Sequence, residues 1–285
     1  MKFGIMFANA GPFSDPDTFA HLVTTAESVG IESIWTVEHA IVPRGYESTY
    51  PYSRDGKMTG PEDVPIPDPF VSLAFAAALT KKIRLATGVL ILPQRHPAYV
   101  AKEVASLDKL SKGRVTLGIG VGWLREEFEA LGSSFDDRAA RTRESVAAMR
   151  SLWSPGPSTF EGKFFSWKDV ESNPKPVQAG GVPIVVGGHT DLAARRAARY
   201  GDGFFPGRGN TARMKELLAV LKDECAKVGR DPGSIELTGG MMAPRAEHIA
   251  EHEEMGFERL IIAPPGWDKD GISRGFEAFA NAFLK

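Results

Sequence analysis

Short apolar runs alternate along this chain with stretches in which apolar positions recur every third or fourth residue. Eight runs read as strands: Lys2–Phe7, Ser33–Val37, Ile83–Leu90, Val115–Ile119, Ile184–Gly187, Gly203–Phe205, Ile235–Thr238 and Arg259–Ala263. A helical pattern follows each. The first helix has Asp15 as N-cap and Pro16 just inside; Phe19, Leu22, Val23, Ala26 and Val29 line one face, and Gly30 ends it. Another opens at Pro97, carries Val100, Val104, Leu107 and Leu110 on one face, and stops at Gly113. The last carries Ile272, Phe276, Phe279, Ala280 and Phe283. Strand–helix alternation implies a parallel sheet, because parallel neighbours need a crossover between them. The eight units predict an α/β fold closed as a (β/α)8 TIM barrel. The rival is an open doubly wound sheet. Eight units in this length leave no room for a second domain, so residues 1–285 read as one.

Two stretches break the rhythm. Ile41–Pro69, after the second strand, is rich in proline, tyrosine and charge; its position places it over the C-terminal face of a barrel. Pro155–Val182, before the fifth strand, begins on the opposite face. In it Phe160-Glu161-Gly162-Lys163-Phe164-Phe165 reads as a small hairpin, and Pro174–Pro176 as an extended lead-in.

Composition narrows the function classes. With 42% hydrophobic and 25% charged residues, the chain can build a large core. A formal net charge of −2 with no long basic run argues against nucleic acid or an anionic membrane as partner. The single cysteine, Cys225, excludes an internal disulfide; it falls on the apolar face of Met214, Leu217, Leu218, Leu221 and Val228, as a core thiol would. The chain opens on a strand with no signal peptide or membrane span in view, and a cytoplasmic location is expected.

Several clusters carry candidate chemistry. The fourth strand exits through Gly118-Ile119-Gly120-Val121-Gly122-Trp123. Glycines at alternate positions clear one face for a flat ligand or for another backbone. Val185-Val186-Gly187-Gly188-His189-Thr190 leads from a strand into a helix, where free N–H groups and the helix dipole favour an anion, so it reads as a phosphate seat; the plain alternative is a βα turn that needs glycine for its angles. Arg195, Arg196 and Arg199 crowd that helix, mostly toward solvent, with one available to a phosphate or an acidic tail. Arg208 is a second candidate. His39 ends the second strand, where it would meet a cofactor carbonyl or donate a proton, or else pair with Glu38 as a structural residue. His96 is a weaker pocket candidate, and His21, His248 and His252 read as surface residues of outer helices. Trp123 reads as a pocket wall or a plug, and Glu126 and Glu127 as helix-start charges rather than catalytic acids. No metal-ligand spacing, GxSxG elbow or GxGxxG fingerprint is present.

Taken in order, these pieces resemble the luciferase-like flavin and deazaflavin enzymes, the bacterial luciferase superfamily, and its F420-dependent branch most of all. The resemblance is carried by Gly30-Ile31-Glu32-Ser33-Ile34-Trp35 with Glu38-His39, Thr87-Gly88-Val89, Pro93…His96-Pro97, Leu107-Asp108…Gly113-Arg114, Gly118-x-Gly-x-Gly122-Trp123 with Glu127-Phe128 and Leu131-Gly132, and Pro183-Ile184-Val185-Val186-Gly187-Gly188. It implies a hydride-transferring oxidoreductase acting on a small organic molecule with coenzyme F420. It further implies a cis Gly88–Val89 bond, with Thr87, Gly88 and Val89 against one face of the ring, and Gly120 and Gly122 near it. Val186, Gly187, Gly188 and His189 would hold the phosphate, Arg208 the acidic tail, and His39 and Trp123 would shape the pocket. In F420-dependent sugar-phosphate dehydrogenases a catalytic glutamate stands where this chain has Trp123, which argues against glucose 6-phosphate as substrate. The alternatives are an FMN-dependent monooxygenase served by a partner flavin reductase, and a non-catalytic protein that only binds the cofactor. A lyase or isomerase barrel lacks a clear lysine or carboxylate at an inner strand end. Relatives commonly pair, so a homodimer is expected.

Overall fold

In the computed structural model, which describes residues 1–284 except 59, 208 and 209, the strands close on themselves. The chain runs β1 (Lys2–Ile5), α1 (Pro16–Val29), β2 (Ser33–Thr36), α2 (Pro69–Leu79), β3 (Arg84–Thr87), β4 (Leu90–Ile91) and α3 (Pro97–Ser111). It continues through β5 (Val115–Gly120), α4 (Arg125–Ala130), α5 (Arg138–Trp153), β6 (Ser158–Glu161) and β7 (Ser166–Val170). The last part holds β8 (Ile184–Gly187), α6 (Asp191–Tyr200), β9 (Gly203–Phe205), α7 (Thr211–Val228), β10 (Glu236–Met241), α8 (Ala246–Glu254), β11 (Arg259–Ile262) and α9 (Lys269–Phe283). The sheet order is β3-β2-β1-β11-β10-β9-β8-β5-β4, and a further β3–β5 pairing closes the ring. Every ladder in the ring is parallel. This is a (β/α)8 barrel; among the described residues only the β6–β7 hairpin is antiparallel.

Local chemistry sets the boundaries. Asp15 caps α1 by accepting from the Thr18 N–H, and Gly30 ends it at φ 93°. At the end of α3 both Lys112 (φ 60°) and the expected Gly113 (φ 84°) are left-handed. Leu110 proves 74% exposed, so the apolar face of α3 ends at Leu107. The third strand is broken rather than continuous. Leu85 and Ala86 pair with Val115 and Thr116, whereas Leu90 and Ile91 pair with Ile119 and Gly120. The seventh strand begins at Glu236 and runs on to Met241, where it pairs with Ile262.

The core has two layers. Inside the barrel Trp35, Ala86, Val185, Phe205 and Ile261 pack together with Met6 and Val89. The larger cluster lies between the outer strand faces and the helices and includes Cys225, which is fully buried. Gly4 is required by the inner layer, since a Cβ there would stand 2.8 Å from Trp35 Nε1. His252 is buried rather than superficial; its Nδ1 meets the His248 carbonyl at 2.6 Å and its ring packs on Phe257. Among the described residues no helix is long and apolar enough to cross a membrane.

Candidate functional site

The C-terminal ends of the strands gather at one mouth, as barrel geometry requires. The break in the third strand lies here. Its peptide bond Gly88–Val89 is cis, as the resemblance implies. Gly88 N–H donates to the Thr36 carbonyl (2.6 Å), and the Thr87 hydroxyl to the Gly118 carbonyl (2.6 Å). The glycine run on β5 serves this break. A Cβ at Gly118 would lie 1.9 Å from the Thr87 carbonyl oxygen. One at Gly120 or at Gly187 would lie 2.6 Å from a Val89 methyl, and one at Gly122 2.5 Å from the Phe128 ring. Of the two uses an alternate-glycine strand end offers, the close approach of another chain segment is thus realised. Val89 is seated between Gly120 and Gly187, which fixes the Gly88–Val89 edge at the mouth.

His39 stands just past β2. Its Nδ1 lies 2.9 Å from Glu127 Oε2, and because a carboxylate only accepts, Nδ1 carries the hydrogen. Glu127 is fully buried on α4, and its other oxygen accepts the Ala40 N–H at 2.8 Å. That leaves His39 Nε2 without a protein partner among the described residues. The expected alternative pairing with Glu38 does not occur. Glu38 instead accepts the Ile91 N–H (2.5 Å) and bonds Arg95 (2.7 Å), which reaches on to Asp68 (2.5 Å). Burial pushes the Glu38 carboxyl upward, and the Arg95 charge opposes it. Glu127 is the residue that sequence reasoning missed. The signal was present: an acid sits between Leu124 and Phe128, both buried, on the inward side of a short helix. An acid at such a position needs a partner.

Trp123 packs edge-on against His39, Tyr46 and Tyr50, with centroids 5.7, 5.4 and 5.1 Å away. Both tyrosines come from residues 37–68, which arch over the mouth. Asn9 pins both ends of that segment, bonding the Val37 and Pro67 carbonyls at 2.9 and 2.7 Å. Glu126 pins its middle by accepting from Glu47 N–H (2.7 Å), Ser48 N–H (3.0 Å) and the Ser48 hydroxyl (2.6 Å). Partial burial pulls the Glu126 carboxyl upward, but these bonds outweigh it and hold the pKa at about 2. Tyr52 touches the His189 ring with centroids 4.9 Å apart.

Across the mouth, β8 leads into α6 through Gly187 and Gly188. Gly188 N–H donates to the Phe205 carbonyl, and Ala193 and Ala194 N–H to Thr190. Between them the N–H groups of His189, Thr190, Asp191 and Leu192 find no acceptor among the described residues. Consecutive free donors at a helix start form an anion seat. Burial, with the Arg213 charge, lowers the His189 pKa. Val186 lies one position deeper, buried in the strand. Arg195 and Arg199 point away from the seat and pair with Glu224 of α7, at 3.4 and 2.6 Å. His96 also leaves the pocket: it is exposed and accepts the Ala98 N–H as the N-cap of α3. Arg208 lies outside the described residues. No cluster of metal-binding side chains occurs among the described residues.

A family model of luciferase-like monooxygenases matches residues 1–279. An uncharacterised protein of Mycobacterium tuberculosis is 30% identical over 281 residues, covering 98% of each chain. The F420-dependent glucose-6-phosphate dehydrogenase of Kineococcus radiotolerans is 32% identical over 237 residues, 81% of this chain and 64% of its own. Among solved structures, the monooxygenase RslO1 from Streptomyces bottropensis superposes with a TM-score of 0.77 at 24% identity, covering 100% of this chain and 99% of that one.

Proposed function

The chain belongs to the luciferase-like monooxygenase family, and from that premise we propose that it binds coenzyme F420 and transfers a hydride to or from a small organic molecule. The observation that carries the reading is the pairing, across one mouth, of a proton-relay side chain with an anion seat. His39 Nε2 is left open on one side, and four unpaired N–H groups, His189 to Leu192, lie on the other. The residues fit a phosphate-bearing ring cofactor. His189–Leu192 would hold the phosphate, and the Gly88–Val89 edge, backed by Val89 in its glycine seat, would support the ring. When bound, the deazaflavin supplies a carbon that carries hydride. The protein's own part is positioning and proton handling. Trp123, Tyr46 and Tyr50 exclude water from the mouth. Glu127 holds the His39 tautomer so that Nε2 faces inward, able to accept a substrate hydroxyl proton or, once protonated, to return it. Glu127 is a positioning residue in this scheme. Expected homodimerisation has support in α2, whose Val71 and Phe75 are 70% and 42% exposed along one stripe.

Titration with F420 and separately with FMN, followed by quenching of tryptophan emission, tests the reading. Trp123 beside the ring predicts strong quenching. Tight F420 binding with weak FMN binding is the expected result. Preference for FMN would move the protein to the monooxygenase alternative, and binding of neither would remove both cofactors.

A further inference from the structure

Three arginines stand on α6, and two are committed to Glu224 on the α7 side. The third, Arg196, makes no hydrogen bond and no ion pair among the described residues, and its Nε is sealed from solvent without an acceptor. Across the seam between α5 and α6 lies Arg138, the first residue of α5. It too lacks a carboxylate. One of its Nη atoms donates to the Phe135 carbonyl (2.7 Å), its plane rests 3.7 Å from the Phe135 ring centre, and its Nε is buried and unbonded. Asp136, the acid whose charge reaches it, is taken by Arg125 at 2.7 Å. One turn beyond Arg196, the buried Tyr200 hydroxyl is also without a partner. Burial lowers the pKa of both guanidinium groups, and the charge of Arg196 adds to the lowering at Arg138.

Two half-buried like charges with orphaned donors are costly, and folded proteins keep such groups where a counter-charge arrives. Their place says which. Side chains on a helix lean toward its N-terminus, so Arg196 reaches back toward the start of α6. Arg138 starts α5, and both helices begin at the C-terminal mouth. The pair therefore belongs to the same end of the barrel as the seat formed by His189–Leu192. That seat already supplies a phosphate with four N–H groups, whereas planar guanidinium forks match carboxylates. Resting on the F420 reading above, we propose that Arg138 and Arg196 form a carboxylate subsite that takes the lactyl-glutamate tail beyond the phosphate, and so select F420 over FMN.

The test measures dissociation constants by tryptophan quenching for three probes: F420, the deazaflavin phosphate lacking the tail, and the phosphate-free deazaflavin. Wild type, Arg196→Gln, Arg138→Gln and, as a control, Arg195→Gln are compared, each with its thermal midpoint without ligand. Wild type should bind F420 about tenfold tighter than the tail-less phosphate. Arg196→Gln should lose that margin, leave tail-less binding unchanged and melt no earlier than wild type; Arg195→Gln should keep it. Equal weakening of both phosphate forms would assign the pair to the phosphate and overturn the proposal. So would an earlier melt of Arg196→Gln, which would make that arginine structural. If wild type binds none of the three probes, the cofactor reading itself falls and this inference with it.

Discussion

The barrel has two mouths, and both hold carboxylates, but they differ in how completely the polar groups around them are paired. At the N-terminal mouth Arg259, 3% exposed, grips Glu32 with two bonds of 2.8 and 2.9 Å, bonds Glu236, and donates to Thr238. Beside it Arg84 bonds the Thr116 hydroxyl, the Val115 carbonyl and the Gln178 amide. These side chains line a cavity of about 380 Å³ whose charges balance: Lys2, Arg84 and Arg259 against Glu32, Asp202 and Glu236. At the C-terminal mouth Glu38 is paired with Arg95, but Glu127 has, among the described residues, no Lys or Arg partner, only backbone N–H groups and an imidazole. There, among the described residues, one ring nitrogen of His39, the buried Nδ1 of His189 and four N–H groups stay unspent. A cavity alone does not mark a working site; unspent polar groups do. One mouth has satisfied its charges for stability, and the other has kept part of its bonding capacity open.

The largest effect should come from breaking the satisfied mouth. Arg259→Met strands the half-buried Glu32 and Glu236 at the floor; losing one partner of a fully buried pair costs about 3–5 kcal/mol, and their partial exposure places the loss at the low end, about 3 kcal/mol. The urea midpoint should drop accordingly, while the folded fraction retains its ligand affinity. Glu32→Gln added to Arg259→Met should recover part of the loss. A single variant as stable as wild type would erase the contrast between the mouths.

Next in size is Glu127→Gln, which tests whether the open mouth rests on a directed hydrogen bond. Glutamine can still accept the Ala40 N–H but can present its amide to His39 Nδ1. The expected cost in stability is about 1–2 kcal/mol. The sharper readout is the His39 tautomer by ¹⁵N NMR: Nδ1–H in wild type, Nε2–H in the variant. An unchanged tautomer would separate His39 from Glu127 and remove the positioning role. Any turnover assay should lose about 10²-fold in the variant, as for a misdirected general base.

The two mouths also differ in how much of them the sequence disclosed. Caps, periodicity and strand count lay in local patterns such as Asp15-Pro16 and the Val100–Val104–Leu107 face, and the barrel followed from them. The cis Gly88–Val89 bond was reachable only by likeness to a family, because a Thr-Gly-Val run is as compatible with an unbroken strand. The role of the glycine run had two local readings. Only the position of Val89, folded in from a different strand, chose between them. His39 was visible at a strand end, yet its partner lies on α4, far along the chain, and nothing local ties the two. Arg195, Arg196 and Arg199 share one helix and one composition. Which of them remains unpaired depends on Glu224 of α7.

The smallest expected effect sits at the rim of the open mouth. Glu126 fastens the arch of residues 37–68 through Glu47 and Ser48. Its folded pKa of about 2 lies below the ordinary 4.5, so its contribution is complete above pH 4.5 and is lost as the pH falls toward 2. The site is partly exposed and screened, so global stability should change by less than about 1 kcal/mol. The local effect should be larger. Amide exchange at Glu47 and Ser48, with Trp123 emission as a second probe, should accelerate through that acid window in wild type. In Glu126→Gln exchange should be faster at neutral pH and flat across the window. An acid response that survives in the variant would transfer the fastening to Glu62, whose carboxylate accepts the Gly45 N–H at 3.2 Å. The arch would then be held by more than one carboxylate, and the open mouth would be less easily opened than its unspent groups suggest.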